Sequence, residues 1–285
     1  MRIDLHCHTS ASDGTDTPAE LMRNAVVAGL DVVAITDHDT TAGWNEALEA
    51  RPPELTVVTG AEFSCFHLDA EGRRISLHVL GYLFDPEEAG LRAERERLQQ
   101  SRRARARQIV ERLVADAYPI TWAQVSALAG GGSVGRPHIG RALVASSVVP
   151  DVSSAFRELL SGRGKYYVAK RDTPVLDAIT MIRAAGGLPV FAHPFARRRG
   201  PVVGDDVVAA MTEAGLVGLE VEHPDQDPAD RAHAEALAHE FGLIVTGSSD
   251  YHGANKPVRL GAGLTTAEAY DQLLALPAAR RPVRG

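Results

Sequence analysis

Seven short apolar runs with strand character recur along the chain, and amphipathic helical patterns separate most of them. The runs are the alternation that ends in His6 and His8, then 32–35, 55–58, 75–80, 188–191, 217–221 and 243–246. Alternation of this kind buries both faces of a parallel sheet under helices, so it defines an α/β architecture. Thr17-Pro18-Ala19-Glu20 reads as a capping box with proline in the first turn, and Gly29 is placed to end that helix. Further helices are expected over 174–185, 205–214 and 229–241. From about 87 to 165 the pattern changes to helical periodicity without a strand. A long charged helix there breaks at Tyr118-Pro119, a short helix leads to the flexible Gly130–Ser133 stretch, and another helix follows Arg136-Pro137. We therefore expect one discontinuous barrel from residues 1–92 and 167–285, with 93–166 as an all-α insertion over its mouth. At 285 residues the chain is long enough to bury such a core.

The ends of these runs are chemically uniform. His6 and His8 close the first, with Asp13 five residues on. Asp37-His38 come after the second, Glu62 after the third, His193 after the fifth, Glu222-His223 after the sixth, and Asp250 with His252 after the seventh; His78 lies within the fourth. In a parallel barrel these ends converge on one face. The spacing His6-x-His8 turns both rings to the same side of a strand, close enough to share an ion. Imidazole and carboxylate together suit divalent transition metals, and a set without thiolate does not suit a structural zinc site. Cys7 and Cys65 are too few for a disulfide framework and are expected in the core. His67, His233 and His239 lack the strand-end placement and are left out of the set. Asp37 has two readings, one orienting a ligand imidazole and one capping a turn.

Taken together, the first thirteen residues, "AITDHDT" at 34–40, "TGAEFS" at 59–64, "HVLGY" at 78–82, "FAHP" at 191–194 and "SSDYHG" at 248–253 resemble the polymerase and histidinol phosphatase (PHP) family. The resemblance implies a distorted seven-stranded (β/α) barrel holding two or three divalent ions, Mn²⁺, Zn²⁺ or Fe²⁺. It implies one ion on His6, His8, Glu62 and Asp250, a second on Asp13, His38 and His252, and a third on Glu62, His78 and His193. Asp13 departs from the histidinol phosphatases, where a histidine stands near this position. Asp250, His252 and His193 are the expected catalytic residues. Three such ions and three ligand carboxylates leave a surplus of about three positive charges, which hydroxide and a phosphate dianion would neutralise. The expected reaction is hydrolysis of a phosphate ester by a metal-bound hydroxide. Neither a Gly-x-Ser-x-Gly elbow nor a Walker loop occurs to suggest another nucleophile.

Charge narrows the substrate. A net charge of −7 argues against broad nucleic-acid binding, and few aromatics are present to stack a long strand. Cations are concentrated in the insertion: Arg102 and Arg103 beside Ser101, in a run to Arg107 that reads first as a solvated helix face and second as a phosphate contact, then Arg136 and His138 in "SVGRPHIGRALV", and Arg163 and Lys165 in "SGRGKYYVAK". Arginine grips phosphate bidentately, and glycine-flanked turns bring backbone N–H groups to an anion. Within the family, the insertion with "GRPHIGRALV" resembles the nucleoside 3′,5′-bisphosphate phosphatases. That implies conversion of 3′-phosphoadenosine 5′-phosphate to AMP, with the metals on the 3′ phosphate and the insertion's cations on the 5′ phosphate. His223 would border the nucleoside, or else stand in a surface loop. Rival substrates are short RNA or DNA oligonucleotides cut from the 5′ end, histidinol phosphate, and a cyclic sugar phosphate. A non-enzymatic accessory role is opposed by the complete ligand set. No run approaches a membrane span and no signal pattern opens the chain, so a cytoplasmic protein without an obligate protein partner is expected. Arg197-Arg198-Arg199 has two readings, an exposed loop and an extension of the phosphate field.

Overall fold

The computed structural model describes residues 1–162 and 164–285; Arg163 lies outside the described residues. The strands are β1 (Ile3–Cys7), β2 (Val32–Ile35), β3 (Thr56–Leu68), β4 (Arg74–Tyr82), β5 (Thr173–Pro174), β6 (Leu188–Phe191), β7 (Gly218–Glu222) and β8 (Ile244–Gly247). The helices are α1 (Pro18–Val27), α2 (Trp44–Glu49), α3 (Ala89–Ala115), α4 (Trp122–Leu128), α5 (Arg136–Ala145), α6 (Val152–Glu158), α7 (Val175–Ala184), α8 (Asp205–Glu213), α9 (Pro228–Phe241) and α10 (Ala267–Ala275). The expected capping box opens α1, where Thr17 accepts from the Glu20 amide and the Glu20 carboxylate accepts from Thr17.

All seven expected strands are present, in the order β1-β2-β3-β4-β6-β7-β8, with the short β5 added beside β3. The barrel nearly closes where Cys7 of β1 bridges Tyr251 just beyond β8, and the His8 amide donates to the Tyr251 carbonyl at 2.9 Å. One expectation needs correction. The barrel is not wholly parallel: β4 runs antiparallel to both β3 and β6. Its direction follows from the long hairpin that β3 makes with it, turning at Asp69–Arg73, where the Asp69 carboxylate accepts three hydrogen bonds. Apolar periodicity reads burial and is blind to strand direction. The reversal has a use, because it sets His78 opposite Ser64, two residues past Glu62, at the same end of the barrel as the other strand termini.

Alternate strand residues divide between two cores. Val33, Ile35, Val57, Val79 and Phe191 pack outward against the surrounding helices, whereas Val32, Ala34, Val58, Leu80 and Val190 pack together with Tyr270 and Leu273 of α10. Within the second set the Tyr82 hydroxyl donates across to the Leu5 carbonyl at 2.8 Å. Between β4 and β5 the chain is helical, and α3 to α6 have a third core of their own around Ile109, Leu113, Val125, Ile139 and Leu143. The 27-residue α3, about 40 Å long, belongs to both regions. Its Leu91 and Leu98 enter the barrel's outer core, and Ala106, Ile109 and Leu113 enter the helical one. Among the described residues no helix is long and apolar enough to cross a membrane.

A buried ion pair fastens the two regions. Arg102 of α3 donates from Nε to the Asp39 carboxylate and from Nη2 to Ser64 Oγ at 2.7 Å. Asp39 also accepts from the Ser64 amide and hydroxyl, each at 2.7 Å. Burial opposes ionisation of Asp39, but Arg102 and Lys170 hold it well below the ordinary carboxylate range. Arg102→Ala leaves that charge buried without its guanidinium and is expected to cost about 3–5 kcal/mol in urea denaturation. The Asp39→Ala, Arg102→Ala double variant should lose much less than the sum of the two single changes.

Candidate metal centre

Six imidazoles and three carboxylates converge at the barrel mouth. Glu62, in the middle of β3, is fully buried, and each of its oxygens faces a different set of rings. Oε2 lies 3.3, 3.2 and 2.9 Å from His6 Nε2, His8 Nε2 and His38 Nδ1, while Oε1 lies 2.7 and 3.1 Å from His78 Nδ1 and His193 Nε2. Asp250 Oδ1 is 3.5 and 3.3 Å from His6 and His8 Nε2. Asp13 stands 3.7 Å from His38 Nε2 and 3.4 Å from His252 Nε2. The turn carrying Asp13 back over β1 depends on Gly14, because a Cβ there would lie 2.6 Å from the His8 carbonyl oxygen. His193 and Asp250 adopt φ of +33° and +52°, a conformation that costs residues with a Cβ about 1–3 kcal/mol and gathers at functional sites.

The donor set fits divalent cations. His6 Nε2 and His8 Nε2 face each other at 3.0 Å. His38 Nδ1 and His78 Nδ1 are buried and make no hydrogen bond, despite their closeness to Glu62. His252 Nδ1 donates to the Asp250 carbonyl at 2.8 Å, which leaves the Nε2 lone pair of the neutral ring on the Asp13 side. Burial drives His38 down to about 4 and, with Arg199 adding to it, His193 down to about 3. Both rings are therefore neutral at pH 7, the form a metal would need. For His8 burial acts in the same direction, but Asp250 and Glu62 overcome it and push the ring up to about 9. His6 is raised as well, since Glu62, Glu220 and Asp250 outweigh its burial, so the carboxylates favour positive charge around this pair of rings. Donor atoms within 4.8 Å of one another form four groups: His8, Asp13, His38 and His252; His6, His8 and Asp250; His38, Glu62 and His78; His223, Asp225 and Asp250.

Several supporting residues are not evident from sequence. Glu220 of β7 accepts from His6 Nδ1 at 3.0 Å, from the His193 amide at 2.8 Å and from the Ser248 hydroxyl. It is buried and held down to about 2, since His6, with His223 and His193, outweighs the opposing effect of burial. A glutamate two residues before the end of an otherwise buried strand was the available signal. Asp37 takes the turn-capping role: it accepts from the Thr9 amide and hydroxyl at 2.7 Å and from Ser12 Oγ at 2.6 Å. Ser12 Oγ in turn lies 3.4 Å from His8 Nδ1. His67 lies on β3 away from the mouth, and His233 pairs with Asp205 at 2.9 Å.

The expected substrate contacts separate. The N-terminus of α5 stands over the centre, with the Ser133 amide donating to the Ala11 carbonyl at 2.9 Å and Gly135 packed beside Asp13 and Arg102. Arg136 follows; its Nη1 donates to the Leu160 carbonyl at 3.0 Å and its guanidinium lies over Phe156. His138 is buried, and its Nδ1 accepts from the Gly135 amide at 3.0 Å. Arg102 is taken up by the ion pair with Asp39. Arg103 is exposed and stacks on Trp122. Lys165 pairs with Asp116, fourteen residues beyond Arg102 and about 21 Å farther along the direction of α3. His223 is neither a surface-loop residue nor remote. It is buried, with Nε2 3.4 Å from Asp250 Oδ2.

A barrel mouth lined in this way defines a metal-dependent phosphoesterase. Residues 4–119 match the PHP domain model. The chain is 32% identical to a 5′-3′ exoribonuclease of Haemophilus influenzae over 94% of its own length and 96% of that protein. It is 31% identical to the 3′,5′-nucleoside bisphosphate phosphatase of Chromobacterium violaceum over 88% of its length and 87% of that protein. A solved structure from Bifidobacterium adolescentis, described as a metal-dependent phosphoesterase, superposes with a TM-score of 0.91 at 38% identity, covering 96% of this chain and 95% of that one. The chain belongs to the PHP domain family, and its barrel with a metal-dependent phosphoesterase activity is that family's. Because Glu220 fixes the tautomer and orientation of His6, Glu220→Ala should weaken Mn²⁺ binding about 10–100-fold in chelator competition without unfolding the protein.

Proposed function

We propose that the protein hydrolyses the 3′-phosphate of nucleoside 3′,5′-bisphosphates, releasing phosphate and the 5′-nucleotide. The carrying observation is the juxtaposition of two kinds of anion site, the imidazole–carboxylate centre and the start of α5, which meet at Asp13 and Gly135. Two or three divalent ions, held by His6, His8, Glu62 and Asp250, by Asp13, His38 and His252, and by Glu62, His78 and His193, would acidify a water molecule and neutralise phosphoryl charge.

The chain's own residues supply the rest. Arg136 keeps N–H groups beyond the one spent on Leu160, and burial together with the nearby Arg102 lowers its pKa. A second phosphate on the same substrate relieves that repulsion through charge-assisted hydrogen bonds. His138, with Nδ1 accepting from Gly135, has its neutral-ring proton on Nε2 and adds a donor of fixed tautomer. Residues 93–166 act in this reading as a cap that selects substrates bearing both phosphates. Asp250 and His252, joined through the His252 Nδ1 to Asp250 carbonyl bond, handle protons at the reacting ester. The setting proposed is the cytoplasm, with no obligate protein partner.

A second reading, trimming of short RNA from the 5′ end, is favoured by the Haemophilus relative. It asks for the same two anion sites and differs only in what leaves from the 3′ oxygen. Phosphate or nucleotide release by Mn²⁺-loaded protein from a nucleoside bisphosphate, a 5′-phosphorylated trinucleotide, histidinol phosphate and a cyclic sugar phosphate separates the readings. Preference for the bisphosphate is expected; trimming of the trinucleotide without action on the bisphosphate selects the second reading, and no turnover with metals bound refutes both. Arg136→Ala should raise KM for the bisphosphate about 10–100-fold while barely changing that for a 3′-nucleoside monophosphate. His193→Ala should lower kcat on both by at least about 100-fold, more than an outer supporting residue would.

A further inference from the structure

The arginine run that follows His193 forms a single 3₁₀ turn, Arg197–Arg199, and its members face different ways. Arg197 points outward to Asp230, at 2.8 Å. Arg199 turns in: Nε donates to Asp225 Oδ2 at 2.7 Å, and Nη2 reaches both Asp225 Oδ2 and Asp250 Oδ2 at 2.5 Å. Lys256, just past the turn that follows His252, sets its ammonium 2.7 Å from the same Asp250 oxygen. His223 completes the group. Its Nδ1 accepts from the Asp225 amide at 3.0 Å, so the neutral ring has its proton on Nε2. That nitrogen faces Asp250 Oδ2 at 3.4 Å, is buried, and makes no hydrogen bond.

Asp250 is thus divided by function. Oδ1 faces His6 and His8, whereas Oδ2 faces a guanidinium, an ammonium and an imidazole N–H. One carboxylate oxygen has two lone pairs, and Arg199 and Lys256 alone bring more donors than the two oxygens they face, Asp225 Oδ2 and Asp250 Oδ2, can accept. Both cations are also about one-third exposed, at 32% and 31%, so neither is sealed off from solvent. Surplus charged donors beside a centre that takes a phosphate ester suit a tetrahedral dianion, whose oxygens turned away from the metals still need partners.

We propose that Arg199, Lys256 and His223 form an anion-binding corner that grips the reacting phosphoryl group of the substrate and retains inorganic phosphate as product. The corner rests on the reading that this centre cleaves phosphate esters. It assigns a binding role to part of the arginine run and a hydrogen-bonding role to His223. It differs from the second-phosphate position at α5, because it lies beside Asp250 instead of Asp13.

The test uses inorganic phosphate and Mn²⁺-loaded full-length protein, with affinity from isothermal titration and manganese content from elemental analysis of the same samples. Arg199→Ala and Lys256→Ala should each weaken phosphate binding about 10–100-fold, the worth of a charge-assisted hydrogen bond, at unchanged manganese content. His223→Gln, which keeps a side-chain N–H, should retain more affinity than His223→Ala. Arg197→Ala, outside the corner, should match the unsubstituted protein. Unchanged phosphate affinity in the Arg199 and Lys256 variants overturns the proposal. So does a loss of affinity that follows loss of manganese, since the cations would then only fasten Asp250. Phosphate binding requires no turnover, so a protein that binds phosphate through Arg199 but cleaves no nucleotide keeps the corner and loses the substrate reading.

Discussion

Everything at the barrel mouth is arranged around the buried carboxylate of Glu62, whose two oxygens are shared among five imidazoles. A fully buried carboxylate without compensating charge is prohibitively costly, so its neighbours are constrained together. Oε1 is reached by His78 only because β4 runs against the other strands. It is reached by His193 only through a backbone conformation that residues with a Cβ avoid. Oε2 is reached by His6 in an orientation that Glu220 fixes from β7. These are demands for positive charge at the mouth, and the same carboxylates push His6 and His8 upward. Metal binding and barrel integrity are therefore coupled, because an ion that prefers the folded chain stabilises it by mass action.

Much of this was legible in the sequence, for reasons that can be named. Short apolar runs separated by helical patterns set seven strands in number and place, since burial pattern and capping chemistry are local. The histidines and acids at the strand ends marked the centre because strand termini in such a barrel converge. The direction of β4 was not legible, since an apolar run reads the same in either direction. Glu220 lay hidden within a strand, where it reads as one acid among apolar neighbours. Arg102, in a run that reads foremost as a solvated helix face, and Lys165, in a glycine-bounded turn, were candidate phosphate ligands. Only packing shows that one is committed to Asp39 and the other to Asp116. His223 was open between a nucleoside contact and a surface loop, and its burial against Asp250 is a tertiary fact.

In the proposed reading, the helical segment is what fits the barrel's chemistry to a particular ester. Because α3 is rooted in both cores, the start of α5 stands at a set distance from Asp13. In the proposed reading, Arg136 and His138 would measure how far a second phosphate lies from the reacting one. On the far side of the centre, Arg199 and Lys256 meet Asp250 from loops after β6 and β8. Substrate choice would then reside in the loops and helices around the metal centre, as expected where the site is grafted on a common fold.

The most direct test of the central claim, that the convergent imidazoles and carboxylates are a divalent-metal centre, is anomalous diffraction at the manganese absorption edge from crystals grown with Mn²⁺. The account predicts separate peaks within coordination distance of Glu62, one toward His6, His8 and Asp250, and others toward His78 and His193 and toward Asp13, His38 and His252. A manganese-saturated crystal with no peak at Glu62, or with ions only at surface carboxylates, would contradict it.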